Sequence, residues 1–466
     1  MSSDLGTQLR DYFEFVDETL PTITADDLYD TEPLRPTARP LLRGWQMAPV
    51  AAVITVVVVL VAVLLAGRLG GDEEIIEPIG PNVVTTLPEP TTLPSTVATT
   101  TTAAEEAAAE QAVTWTRLSD LAVFAGESIS DVTFGDDGFV AVGSATWHSA
   151  DGSTWSRVAD FAADDVTYGP SGYVAVGSIE NEEAGEVVGE VWRSADGVTW
   201  SQSVPLVEEL GVDRLVVTYG DAGYVAVGTV CCVNDESFVA FWVSSDGVEW
   251  ERVVAPTFNA QHIYISDVAF GDGRYVAVGS SPGSGGTDDG VILVSTDGLT
   301  WTKIDDPALS DQRGESFQWV AGVAHGNAGW VVVGEDLVET ELFVVDGAVW
   351  HSPTGDSWTR VPHDPILFTP PGVEGTDLGE LELRGVSHGD AGYIAVGYEQ
   401  PETGAASAVA LHSQDGVTWE RIDAASELFV GFQAESIAFG SGIYVAVGFN
   451  FDDGTPGAVW IGSPGS

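Results

Sequence analysis

The sequence predicts an all-β chain, a seven-bladed β-propeller with circular strand closure, and three observations carry that reading. A unit beginning as DVTFGDDGFVAVGSATWHSADGSTWSRV at Asp131 to Val158 recurs to the C-terminus. An aromatic residue followed by a Val-Ala-Val-like run appears seven times, at Phe139, Tyr173, Tyr224, Tyr275, Trp330, Tyr393 and Tyr444. A hairpin tryptophan also appears seven times, at Trp115, Trp155, Trp200, Trp250, Trp301, Trp358 and Trp419, out of phase with the first set.

Each unit divides into four short runs of alternating apolar and β-branched residues between Gly/Asp turns, the pattern of antiparallel strands. The last unit, after Tyr444, has a third strand ending near Trp460 and no fourth. The phase offset supplies the missing piece: Val113 to Leu118 would complete the last blade as its outer strand. Residues 112–466 number 355, about 51 per blade, a normal length for a radial β repeat. Closing the ring also removes the exposed edges that a linear array would leave.

Between the third and fourth strands the sequence reads Ser-x-Asp-Gly-x-Thr-Trp. Copies occur at Ser149/Asp151/Gly152/Trp155 and Ser194/Asp196/Gly197/Trp200, with further ones at Asp246/Gly247/Trp250, Asp297/Gly298/Trp301 and Asp415/Gly416/Trp419. Asp-Gly favours a two-residue type I′ turn with both central residues at positive φ. That turn would set His148 opposite Trp155, Arg193 opposite Trp200 and His412 opposite Trp419 as cross-strand partners. One copy departs, with Thr354 standing where Asp would be.

These hairpins resemble the Asp-box, or BNR, repeat of the sialidase-like propellers, here one residue shorter than S-x-D-x-G-x-T-W. The resemblance covers 112–466 and implies that the boxes are structural and lie away from any active site. The sialidase catalytic set is an Arg triad, a Tyr/Glu pair, an acidic acid/base residue and an early Arg-Ile-Pro segment. No Arg-Ile-Pro occurs here, and Arg117, Arg157, Arg252, Arg360 and Arg421 repeat two residues after a hairpin tryptophan, a structural spacing. No catalytic residue is assigned.

The chain ahead of the propeller divides into three. Residues 1–48 are polar and acidic, with Leu5, Leu9, Tyr12, Phe13, Val16 and Leu20 on one helical face. They read as a cytoplasmic tail in which 1–30 either form a marginal helix or dock a cytoplasmic partner. Residues 49–67 are apolar and long enough to cross a bilayer. Arg35, Arg39 and Arg43 before them and Asp72, Glu73 and Glu74 after them place the N-terminus inside. Residues 68–111 are a Thr/Pro-rich disordered linker. The expectation is therefore a single-pass cell-membrane protein with an extracytoplasmic propeller.

Charge narrows the partners. Of the chain's 71 Asp/Glu, 54 fall in 112–466 against 11 Lys/Arg, a formal charge near −43 there. Such a surface repels nucleic acid and anionic lipid. Strand order puts the first-to-second and third-to-fourth turns on one face and the longer, variable loops on the other, where functional residues concentrate. That long-loop face is the expected site for a glycan or protein ligand. Its acid pairs Asp235/Glu236, Asp288/Asp289 and Asp452/Asp453 are candidates for Ca²⁺, which takes several oxygen ligands, although no EF-hand spacing occurs. No other cofactor is expected. Cys231 and Cys232 are adjacent and cannot staple the fold; a vicinal disulfide and two free thiols remain open readings.

Three functions follow as expectations. The first is a non-catalytic binding or scaffold module for a glycan, envelope component or protein. The others are a sialidase-like glycoside hydrolase and a sensor signalling through the N-terminal tail.

Overall fold

The computed structural model describes residues 113–118, 122–181, 186–203, 206, 211–233, 236–253, 263–282, 288–309, 318–339, 343–370, 379–401, 404–422, 428–451 and 456–465. The N-terminal tail, the apolar stretch 49–67 and the linker lie outside the described residues. Among those described, no helix is long and apolar enough to cross a membrane.

The described chain is an all-β propeller that opens on β1 (Val113–Arg117). A first blade follows, of β2 (Ile129–Gly135), β3 (Gly138–Gly143), β4 (Thr146–Ser149) and β5 (Ser156–Ala159). A second holds β6 (Asp165–Gly169), β7 (Gly172–Asn181), β8 (Glu186–Ser194) and β9 (Ser201–Gln202). The third is β10 (Val212–Gly220), β11 (Gly223–Val233), β12 (Glu236–Ser244) and β13 (Glu251–Val253). The fourth is β14 (Tyr264–Gly271), β15 (Arg274–Pro282), β16 (Asp288–Ser295) and β17 (Thr302–Lys303).

Then come β18 (Gln318–Gly326), β19 (Gly329–Glu339), β20 (Phe343–Ser352) and β21 (Thr359–Arg360), and the one-turn helix α1 (Pro365–Phe368). Four more strands follow: β22 (Gly379–Gly389), β23 (Gly392–Pro401), β24 (Ser407–Ser413) and β25 (Glu420–Arg421). The last three are β26 (Phe432–Gly440), β27 (Ile443–Asn450) and β28 (Gly457–Pro464).

The expectation of a seven-bladed propeller is corrected. Hydrogen bonding yields five free-standing four-stranded blades, and β18 to β25 form one continuous eight-stranded sheet. The cause is a parallel contact between the start of β20 and the start of β22, Val344 with Gly379 and Val345 with Glu380. β22 is 11 residues long, and its extended N-terminal end meets the unpaired edge of β20. Open backbone groups of that kind template pairing.

The closure strand is where the sequence puts it. β1 runs antiparallel to β28 from Val113/Pro464 to Arg117/Trp460, and completes a four-stranded blade with β27 and β26.

The second strands explain their own composition. Val-Ala-Val runs such as Val140–Val142, Val225–Val227 and Val276–Val278 are fully buried on both faces. A strand buried on both sides reads as a continuous apolar run and not as an alternation. Their leading tyrosines join one repeat to the one before it. Tyr173 Oη donates to the Gly138 carbonyl at 2.8 Å, Tyr224 to Gly172 at 3.1 Å, Tyr275 to Gly223 at 3.2 Å, Tyr393 to Gly329 at 2.7 Å and Tyr444 to Gly392 at 2.8 Å. Phe139 and Trp330 occupy the same place without a hydroxyl.

Candidate functional site

Two sets of side chains come together from different repeats, one in the hairpins and one around the central channel. The hairpins are loops of six residues between the third and fourth strands, and the type I′ expectation is corrected at all five Asp-Gly copies. Only the glycine has positive φ: 76° at Gly152, 70° at Gly197, 74° at Gly247, 69° at Gly298 and 72° at Gly416. The Asp before it, Asp151, Asp196, Asp246, Asp297 or Asp415, does not. The glycines also lie close against the second strand of the preceding repeat. A methyl group on Gly197, Gly247 or Gly416 would meet Val140, Val174 or Val331.

The Asp carboxylate instead caps the loop from inside. Asp151 Oδ1 accepts the N–H groups of Ser153 and Thr154, both at 2.8 Å. Asp297 Oδ1 accepts those of Leu299 at 2.9 Å and Thr300 at 2.7 Å. Asp196, Asp246 and Asp415 repeat the cap, and Ser194 Oγ donates to Asp196 as Ser149 does to Asp151. At Thr354 the cap shrinks to one long contact from the Asp356 N–H, 3.4 Å.

The tryptophan closes the loop by donating Nε1–H to the glycine carbonyl. The distance is 2.8 Å for Trp155/Gly152, 3.0 Å for Trp200/Gly197, 3.0 Å for Trp301/Gly298 and 3.1 Å for Trp419/Gly416. The third copy differs. The Gly247 carbonyl accepts Ser203 Oγ–H at 3.3 Å, and the buried Nε1–H of Trp250 has no acceptor.

The longer loop shifts the cross-strand pairs by one residue. His148 faces Ser156, Arg193 faces Ser201 and His412 faces Glu420, not the tryptophans. The histidines bond carbonyls in their own repeat instead: His148 to Asp137 at 2.9 Å and His351 to Ala328 at 2.9 Å. Two backbone donors on an exposed carboxylate favour its charged form. The amides of Thr199 and Val198 hold Asp196 down at about 2.

The channel is a cavity of about 380 Å³ lined by β2, β6, β10, β14, β18, β22 and β26. At the hairpin end stands an aromatic collar, of which Phe134, Phe270, His325, His388 and Phe439 line the cavity. Phe134, Tyr168, Tyr219, Phe270, His325, His388 and Phe439 each lie against the glycine that ends the preceding channel strand; a methyl group on Gly135, Gly271 or Gly440 would overlap Tyr168, His325 or Phe134. Glycine is required there by close approach.

Midway, carboxylates join neighbouring strands. Asp131 Oδ2 accepts the Val166 N–H at 3.0 Å, and its Oδ1 accepts Ser436 Oγ–H at 2.6 Å. Asp165 accepts its neighbour Val166 at 2.7 Å and Val217 on β10 at 2.6 Å. Asp267 accepts Val268 at 2.7 Å and Val323 on β18 at 2.8 Å. Asp164 takes Leu215 N–H at 3.3 Å, and Ser178 by both its N–H and its hydroxyl.

Burial pushes Asp164, Asp165 and Asp267 up, because a charged carboxylate loses hydration there. Asp165 lies well above the usual range through burial and then through the adjacent Asp131. Burial raises Asp267 to about 6. Asp164 also rises through burial, with Arg214 working against the shift.

At the long-loop end, Arg384 is paired with Glu382, whose other partner is Tyr398 Oη at 2.7 Å. Glu335 is pushed well up, by burial and then by Glu382. Two aromatic side chains stand exposed here, Tyr264 at 38% and Trp319 at 37%. Each lies three residues before the position that Asp267 and Gly322 share on β14 and β18. Each pairs with the far end of its second strand, at Ser280 and Glu335.

The sequence-derived ligand pairs fare differently. Asp288 and Asp289 are consecutive on β16, so their side chains point to opposite faces of the sheet and do not chelate together. Asp235, Asp452 and Asp453, with the side chain of Glu236, lie outside the described residues, as do the side chains of Cys231 and Cys232. Among the described residues no cluster of three or more His, Cys, Asp or Glu is arranged to hold a metal ion.

Sequence reading missed the channel carboxylates. Their signal was present: Asp131-Val132, Asp165-Val166 and Asp267-Val268 recur in phase with the repeat.

No protein-family profile matches the chain, and no curated protein does. Solved structures resemble it in fold. The Pseudomonas aeruginosa periplasmic gluconolactonase aligns at 12% identity over 73% of this chain and 98% of its own, with a TM-score of 0.38. A structure described as a glycoside hydrolase aligns at 13% identity over 56% of this chain and 89% of its own, TM-score 0.34. A Bombyx mori GH32 beta-fructofuranosidase, solved with sucrose, aligns at 12% identity over 51% of this chain, TM-score 0.33, and the chain spans 56% of its length.

Proposed function

We propose that the chain is a non-catalytic binding module whose ligand, a glycan, lies across the long-loop mouth of the channel. The observation that carries this reading is the exposed pair Tyr264 and Trp319 at equivalent positions of consecutive channel strands. An aromatic face left in water offers an apolar, polarisable surface to the C–H face of a sugar ring. Carboxylates alongside, such as Glu335 opposite Trp319, offer partners for its hydroxyls. The acidic surface favours a neutral or cationic sugar over a sialylated one.

Two observations speak against turnover. The channel carboxylates are engaged by main-chain N–H groups of neighbouring strands. The cavity wall carries two arginines, Arg214 and Arg384, and Arg384 is held by Glu382; this is short of an arginine triad.

A second reading, a sialidase-like glycoside hydrolase, draws on Asp165, whose pKa is raised, beside a second carboxyl group, Asp131, since glycosidases work with paired carboxyl groups. Glycan binding by the full chain decides between them. Trp319→Ala and Tyr264→Ala are each expected to weaken binding about tenfold, roughly 1.4 kcal/mol, with no release of sugar. Glycan turnover abolished by Asp165→Asn would overturn the binding reading in favour of the hydrolase.

A further inference from the structure

The channel wall concentrates like charge on neighbouring strands. Asp131 stands on β2, Asp164 and Asp165 at the start of β6, and Asp267 on β14, with Arg214 of β10 as the cation among them. The other titratable groups lining the channel are Glu435 from β26, Arg384 and His388 from β22, and His325 from β18. Arg384 is engaged by Glu382. Three carboxylates (Asp131, Asp165 and Asp267) bond a main-chain N–H of the next channel strand round the ring. Asp131 also joins β2 to β26 through Ser436, across the seam where the ring closes.

We propose that these carboxylates are a proton-operated latch, which holds the channel strands together while protonated and loosens the ring when its protons leave. A neutral carboxyl still accepts a backbone N–H through its carbonyl oxygen, and its O–H can be donated to a neighbouring carboxylate. Asp165 and Asp131 converge on one donor, the Val166 N–H, which both accept, at 2.7 and 3.0 Å. Were both charged, two anions would converge on that one donor where β2 meets β6.

The direction follows from linkage. Groups whose folded-state pKa is raised give stability that is present below their unfolded pKa and is lost as pH rises through the folded one. For Asp267 that window runs from 3.8 to about 6, and for Asp165 it likewise opens upward from 3.8. Surface repulsion on a chain of formal charge −55 also weakens the fold as pH rises, but it is screened at about 3 Å in 1 M salt. The half-buried channel groups are screened much less.

The test is urea unfolding of the full chain at intervals from pH 5 to 8 in 1 M NaCl. The wild type should lose folding equilibrium constant as pH rises, about tenfold per pH unit for each proton released. Asp165→Asn should reduce that slope by about one proton, while Glu251→Gln, an exposed carboxylate on β13, should leave it unchanged. A wild-type slope near zero in 1 M NaCl, or an Asp165→Asn slope equal to wild type, would overturn the latch. If Asp165→Asn does not fold, Asp267→Asn reports on the same latch below pH 6. An unchanged slope there is equally fatal.

Discussion

The hairpin rim and the channel use one chemical device with opposite results. In both, an aspartate carboxylate accepts two or more hydrogen bonds, mostly from main-chain N–H groups. On the rim, both donors belong to the loop that carries the aspartate, water reaches the carboxylate, and the charge is favoured, as at Asp196. In the channel the donors come from different strands, water is limited and like charges converge, so the charge is disfavoured, as at Asp165. The difference teaches that counting hydrogen bonds to a carboxylate does not fix its ionisation. Dehydration and neighbouring charge decide it. It also separates two jobs, since a rim aspartate shapes one hairpin and a channel aspartate joins strands distant in sequence.

The sharpest way to break the comparison is to delete one member of each set. Asp131→Ala strands the Ser436 hydroxyl at the ring seam and leaves the Val166 N–H with its bond to Asp165 alone. We expect a loss of about 2 kcal/mol, the cost of leaving one partly buried polar group unpaired, read as a lowered urea midpoint. Asp297→Ala on the rim frees the amides of Leu299 and Thr300 into solvent. Its cost should be about 1 kcal/mol, as for loss of a helix cap, in the same measurement. Equal losses at the two sites would end the distinction. The smallest effect sharpens it from the other side: Thr354→Asp rebuilds the missing cap and should stabilise by about 0.5 kcal/mol. The nearby ion pair of Asp356 with Arg274 limits the gain, and thermal unfolding would show it.

Much of the ring was legible because its signals are local and repeated. The apolar second strands, the Gly/Asp punctuation and the stray tryptophan at Trp115 predicted both the strands and the β1–β28 closure. The fused sheet was not legible, because Val344 and Gly379 belong to separate runs that meet only in three dimensions. The hairpin was misread for a physical reason: Asp-Gly has a strong two-residue solution, yet the carboxylate stabilises a longer loop with a single positive-φ glycine, from Gly152 through Gly197 and Gly247 to Gly416. Of the candidate site, Asp131, Asp165 and Asp267 were in plain view as Asp-Val steps. Reading them required knowing that first strands face one another around an axis. Tyr264 and Trp319 share a register but no motif, and exposure alone distinguishes them.

The seam at β1 and β28 bears on how the domain is made. Among the described strands β1 is synthesised first, and its sheet partner among them is the last strand. On the ribosome the early strands have their neighbours as they emerge, since consecutive hairpins pair locally. β1 alone must wait, with its backbone edge open and Trp115 without the Phe429 ring that meets it in the finished fold. An unpaired edge of that kind invites pairing with another chain. The interval between the first strand and the last is therefore the period of greatest aggregation risk, and slowing translation near the C-terminus would lengthen it.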